Sequence, residues 1–173
     1  MKHPRPYKAA FFDRDGTLIE DVSYLSRIAD VKLLPEAVRI AQLCQQQGYL
    51  LFVITNQSGV ARGMYDENFV HETNQYVARL FAQHGVQFKD FYFCPHHPTN
   101  AVTPSYQVVC DCRKPKPGML LQAAQDYSID LSQSILFGNE ARDLQAGVAA
   151  GCRSVFDITK LFALPSEQCA TLW

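Results

Sequence analysis

Charge of one sign is what this sequence lacks. Sixteen Lys and Arg stand against 17 Asp and Glu, leaving a formal net charge of −1 over 173 residues. That balance gives no footprint for nucleic acid, so any anion must be bound by local groups. Long apolar runs are missing too. The basic N-terminal stretch MKHPRPYKAAFFDRDG has an apolar run of only Ala9–Phe12, cut by Asp13 and too short for an export signal. No stretch approaches the ~20 residues that span a bilayer. A cytoplasmic protein with no membrane partner is expected. Internal repeats, low-complexity tracts and Gly/Ser linkers are also absent, which predicts one domain over residues 1–173, expected to be a monomer. Hydrophobic residues at 47% and charged residues at 19% suffice for one substantial core.

What is present is alternation. KAAFFD (8–13), YLLFVITN (49–56), SILFGN (134–139) and RSVFDI (153–158) read as short buried strands. Helical patterns lie between them. Residues 35–48 open on Pro and stop on Gly, 117–127 open on Pro and Gly, and 141–151 stop on Gly. Residues 66–84 have Asp66 as N-cap and place Phe69, Val70, Val77, Leu80 and Phe81 on one face. The pattern predicts an α/β fold, a mostly parallel sheet with helices on both faces. Such sheets bind ligands at the carboxyl ends of their strands, where Asp13, Thr55 and Asn139 stand.

The chemistry gathers at that edge. In DRDGT (13–17), carboxylates at i and i+2 on a turn repel unless a cation joins them, and Mg²⁺ is the natural guest of hard oxygen ligands. TNQSG (55–59) offers a hydroxyl, amides and backbone N–H groups to an anion, RKPKPG (113–118) adds fixed cations, and GNEARD (138–143) adds a second polar turn leading into a helix. Any one of these alone is an ordinary surface turn; together they describe a phosphate site.

Six cysteines in a cytosolic chain point to metal or thiol chemistry before disulfides. Cys44, Cys152 and Cys169 are scattered and read as ordinary residues. CPH (94–96) and CDC (110–112) supply Cys94, His96, Cys110 and Cys112, a closed set suited to tetrahedral, structural Zn²⁺. His97 is the adjacent alternative ligand; Cys-x-His favours His96 because both side chains can turn to one side.

At this combination the sequence resembles the haloacid dehalogenase superfamily of phosphatases. Its four motifs stand in order as FFDRDGT, VITNQSG, RKPKPG and FGNEARD, over residues 9 to 158. DRDGT, VITNQSGVARG, YFCPHHP and CDCRKPKPGML are similar to the heptose bisphosphate phosphatase group, which removes the 7-phosphate of D-glycero-D-manno-heptose 1,7-bisphosphate in the synthesis of lipopolysaccharide core or surface glycan. Histidinol-phosphate phosphatases share much of this lettering, so a small phosphate ester of that kind is the alternative substrate. The resemblance implies a Rossmann-like fold with minimal or no cap domain and a zinc-binding loop at 94–112. It implies Asp13 as nucleophile and Asp15 as general acid and base, with Thr55 and Lys114 on the phosphoryl oxygens. Asp21, Tyr24, Asn56, Gln57, Ser58 and Arg113 would contact a phosphorylated sugar. Mg²⁺ would be held by the Asp13 side chain, the Asp15 carbonyl and the fourth-motif residue, Asn139. With no large cap, zinc closure of the loop would fix Arg113 and Lys114 for phosphoryl transfer.

The fourth motif departs from the family pattern. The family reads Gly-Asp, often followed by Lys in the heptose phosphatases; here Asn139 and Glu140 follow Gly138. One unit charge at about 4 Å, with an effective dielectric near 20, is worth roughly 4 kcal/mol before solvation offsets it, so weaker metal binding is expected. Glu140 either faces the cleft and repels substrate, or sits at a helix start where the dipole favours acid. Asp143 is a metal ligand or a carboxylate behind one. A non-catalytic phosphosugar-binding protein is the reading these departures favour.

Overall fold

The computed structural model describes residues 6–173. Its centre is one five-stranded sheet, built from β1 (Ala9–Phe12), β2 (Leu50–Asn56), β3 (Phe88–Cys94), β4 (Ile135–Gly138) and β5 (Ser154–Asp157) in the order β3-β2-β1-β4-β5. All four pairings are parallel, with Phe12 opposite both Val53 and Phe137. Every residue of β1 is buried, so apolar side chains serve both faces at once. Ala10 and Phe12 enter one core and Ala9 and Phe11 the other. Burial of each phenylalanine contributes on the order of 2–3 kcal/mol.

Helices α1 (Pro35–Gln46) and α2 (Glu67–Ala82) cover the first face through Ile40, Ala41, Val77 and Phe81. Helices α3 (Gly118–Tyr127) and α4 (Ala141–Ala150) cover the second through Met119, Leu120, Ala123 and Ala146. Asp66 caps α2 by accepting from the Phe69 amide at 2.8 Å. The layers are those the alternating pattern predicts. β3 is the element sequence reading missed: Lys89 and Asp90 break its apolar run, and as an edge strand it is only half-buried. The C-terminal stretch, with the short helix α5 (Ser166–Cys169), packs on the first core, where Trp173 meets Phe137 edge-on at 5.3 Å.

Candidate active site

β1 delivers Asp13 to the sheet's carboxyl edge, where its amide donates to the Phe137 carbonyl of β4 at 2.9 Å. The chain then turns sharply at Gly16, with φ +77°. A Cβ there would lie 2.4 Å from Asn139 Nδ2, so glycine is needed for both the dihedral and the close approach. Thr17 Oγ1 donates to Asn139 Oδ1 at 3.1 Å, locking the first motif to the fourth.

Lys114 lies at the middle of this edge and is 2% exposed. Its ammonium donates to Asp13 Oδ1 at 2.6 Å and to the Ile54 carbonyl at 2.9 Å, and it pairs with Asp143 Oδ1 at 2.8 Å. Three donors meet three acceptors, which is what a buried ammonium requires. Burial alone would lower the lysine pKa, but Asp13 and Asp143 outweigh it and raise it. The Asn56 amide clamps the Lys114 backbone, accepting from its N–H and donating to its carbonyl, both at 3.0 Å. Asp13 moves the other way from the usual carboxylate: burial pushes it up to about 6, with Asp143 and Asp15 adding to the rise and Lys114 opposing it.

Asp143 has both oxygens engaged, one with Lys114 and the other accepting from the amides of Asn139 at 3.2 Å and Glu140 at 3.0 Å. These contacts tie Asp143 to Lys114 and to the start of α4. Glu140 combines parts of the two readings, the helix start and the cleft, but its charge is paired. It is the N-cap of α4 and faces the cleft, where Arg142 pairs with it at 2.6 Å.

A cavity of about 440 Å³ opens over this edge. All ten residues expected to act on or contact substrate face it: Asp13, Asp15, Thr55 and Lys114, together with Asp21, Tyr24, Asn56, Gln57, Ser58 and Arg113. Arg14, Arg62, Tyr65, His97 and Arg142 face it as well and were not foreseen. The VARG run after the second motif was the available signal for Arg62; nothing local marks the others. The donor set suits Mg²⁺, because Asp13 is a desolvated carboxylate with other carboxylates near it, Asp15 faces the same cavity, and Asn139, although it does not line the cavity, stands beside Gly16 and Thr17 of the first motif.

At the end of β3 the loop returns on itself. Cys94 Sγ lies 3.5 Å from Cys110 Sγ and 3.7 Å from His96 Nδ1; Cys112 Sγ lies 3.2 Å from Cys110 Sγ and 3.4 Å from His96 Nδ1. All four ligand atoms fall within 4.8 Å of one another. Tetrahedral zinc with thiolates at about 2.3 Å needs edges of about 3.7 Å, so the residues fit the ion. His97 points elsewhere: its Nδ1 accepts from the amides of Thr99 at 3.2 Å and Asn100 at 2.9 Å, and its Nε2 is 3.3 Å from Arg62. The loop reaches the cavity through Arg113, whose Nη1 donates to the His96 carbonyl at 3.2 Å. Gly118 closes it, since a Cβ there would be 2.3 Å from the Asp111 carbonyl oxygen.

Residues 8–160 match the family model described as polynucleotide kinase 3 phosphatase. The D-glycero-beta-D-manno-heptose-1,7-bisphosphate 7-phosphatase of Photorhabdus laumondii is 37% identical over 166 residues, 95% of this chain and 88% of that one. The D-glycero-alpha-D-manno-heptose-1,7-bisphosphate 7-phosphatase of the same organism is 37% identical over 90% of this chain and 84% of that one. Among solved structures, the D,D-heptose 1,7-bisphosphate phosphatase of B. bronchiseptica, complexed with magnesium and phosphate, superposes with a TM-score of 0.75 at 30% identity, covering 91% of this chain and 88% of that one. The chain belongs to the polynucleotide kinase 3 phosphatase family of the haloacid dehalogenase superfamily and is a phosphatase.

Proposed function

We propose that this phosphatase removes the 7-phosphate of D-glycero-D-manno-heptose 1,7-bisphosphate, as its relatives are named for, through an aspartyl-phosphate on Asp13. The observation that carries the chemistry is the 2.6 Å contact between the Asp13 carboxylate and the buried Lys114 ammonium at the mouth of the cavity. An anion seated there meets the nucleophile and a fixed cation together. In the first step an Asp13 oxygen bonds to phosphorus as the bond to the sugar oxygen breaks, and Asp15 gives that oxygen its proton. In the second, Asp15 takes a proton from water, whose oxygen displaces Asp13 and releases phosphate. Thr55, and Lys114 on exchanging its contact with Asp13 for the anion, hold the phosphoryl oxygens while charge is spread over them. Bound Mg²⁺, held by Asp13, Asp15 and Asn139, would supply further charge neutralisation of the phosphoryl group. Zn²⁺ on Cys94, His96, Cys110 and Cys112 would hold Arg113 towards the sugar.

The Glu140–Arg142 pair offsets the negative charge at the cleft that would otherwise repel a phosphorylated substrate. Phosphate release should be measured over both anomers of the heptose bisphosphate, histidinol phosphate and unrelated sugar phosphates. The heptose bisphosphate should be preferred, and Asp13→Asn should lower kcat by at least about 10³-fold. A flat response across the panel would remove the heptose assignment while leaving the phosphatase chemistry intact.

A further inference from the structure

Asp15 is held with unusual asymmetry. Arg14 follows the nucleophile in sequence, yet its side chain is 1% exposed and lies against Asp15. Its Nε donates to Asp15 Oδ2 at 3.2 Å and its Nη2 to Asp15 Oδ1 at 3.3 Å. Its remaining nitrogen, Nη1, donates to the Oδ1 atom of Asn74, a buried residue of α2, at 2.9 Å. A further donor arrives from the turn after β2: Gln57 Nε2 lies 2.8 Å from Asp15 Oδ2 and 2.8 Å from Thr55 Oγ1. Tyr65 sets which end of that amide faces Asp15, because its hydroxyl donates to Gln57 Oε1 at 2.9 Å. The tyrosine ring occupies the space that a side chain at position 59 would need, with a Cβ on Gly59 falling 2.2 Å from it.

Two oxygens of one carboxylate are thereby made unequal. Oδ2 accepts two hydrogen bonds, from Gln57 Nε2 at 2.8 Å and Arg14 Nε at 3.2 Å, whereas among the described residues Oδ1 accepts one, from Arg14 Nη2 at 3.3 Å. A proton on Oδ2 would displace a donor, because both its lone-pair sites are filled; Oδ1 keeps one site free for a proton. We infer that Arg14, Gln57 and Tyr65 are positioning residues that saturate Asp15 Oδ2 and leave Oδ1 as the single oxygen that gives and takes the catalytic proton. Gln57 therefore acts on Asp15 rather than on the sugar, and it ties the acid/base group to the Thr55 hydroxyl. In the first step the Oδ1–H bond breaks and its proton joins the departing oxygen as the phosphorus–oxygen bond cleaves. In the second, Oδ1 accepts a proton from the water whose oxygen bonds to phosphorus. The inference rests on the acid/base role proposed for Asp15.

The test uses leaving-group chemistry. p-Nitrophenolate departs without a proton, whereas an alkoxide from a sugar phosphate needs one. kcat/KM is measured for p-nitrophenyl phosphate and glucose 6-phosphate with wild type, Asp15→Asn, Tyr65→Phe and Arg14→Lys, all with Mg²⁺. Loss of a correctly placed acid should cost Tyr65→Phe and Arg14→Lys about tenfold more on the sugar phosphate than on the nitrophenyl ester, with KM within about twofold of wild type. General damage to the site would lower both substrates equally, and that result, or no loss at all, overturns the positioning role. Tyr65→Phe carries the test alone if Arg14→Lys does not fold, because it removes one hydroxyl from a partly exposed ring. If Asp15→Asn itself shows no leaving-group dependence, the role of Asp15 fails and this inference falls with it; if only Asp15→Asn shows it, the positioning inference fails by itself.

Discussion

The ionic edge around Asp13 and the sulfur cluster at 94–112 lie on adjoining stretches of chain but are held by opposite means. Lys114 finds Asp13, Asp143 and the Ile54 carbonyl waiting in the folded chain, so every charge it buries is answered from within. The sulfur cluster has no such internal answer: three thiols and one imidazole approach within 4.8 Å of one another, an arrangement of ligands rather than of partners. The first centre is assembled by the fold; the second has a ligand set that an ion would complete. Arg113 and Lys114 sit at the junction. The Lys114 backbone is clamped by Asn56, while Arg113 leans on the His96 carbonyl of the loop. Loosening the loop should therefore disturb Arg113 before it disturbs Asp13.

The strongest way to break that contrast is Cys110→Ser. Elemental analysis should fall from one zinc per chain to a small fraction, and kcat/KM on the heptose bisphosphate should drop about 10²-fold, the scale of a misplacement near 1 Å. Far-UV circular dichroism should stay unchanged, because the sheet is built without the loop. Native protein that is fully active and free of zinc would end the account of the loop as a metal staple.

Asn139→Asp sharpens the other side. A carboxylate at the sheet's edge adds the missing charge, and Mg²⁺ should bind about tenfold tighter once solvation discounts the Coulomb gain. A calorimetric Mg²⁺ titration reads this directly; unchanged affinity would mean that position 139 does not touch the ion.

The smallest effect is a pH signature of the ionic edge in metal-free protein. Asp13 is raised from 3.8 to about 6, so the folded state holds its proton more tightly than the unfolded chain does. The stability this provides is complete below pH 3.8 and is lost as pH rises through about 6. Wild type should lose several degrees in Tm relative to Asp13→Asn across that window. A constant difference between the two from pH 4 to 7 would show that Asp13 is not desolvated in this way.

Much of this molecule was readable in advance, for reasons that differ by element. β1, β2 and β4 are apolar runs long enough for strands and too short for helices, and the helices carry their own stops and caps. β3 escaped because an edge strand tolerates Lys89 and Asp90, which look like loop residues. The Cys and His spacing pointed to a metal loop, and the site residues of the first three motifs face the cavity, whereas Asn139 and Asp143 of the fourth do not line it. Arg14 carried no signal, since a charged residue between two aspartates reads as solvated until its burial is seen.

By itself the sequence determined which segments become strands and helices, which ends carry the acids, and which residues are fit to bind metal, because periodicity, capping and ligand chemistry are local. Tertiary structure alone decided which polar atom faces which. Gln57 reaches Asp15 across 42 residues, Arg14 reaches Asn74 across 60, and Lys114 reaches Asp13 across 101. Contacts at those separations follow from sheet order and helix packing, and no stretch of neighbouring residues contains them.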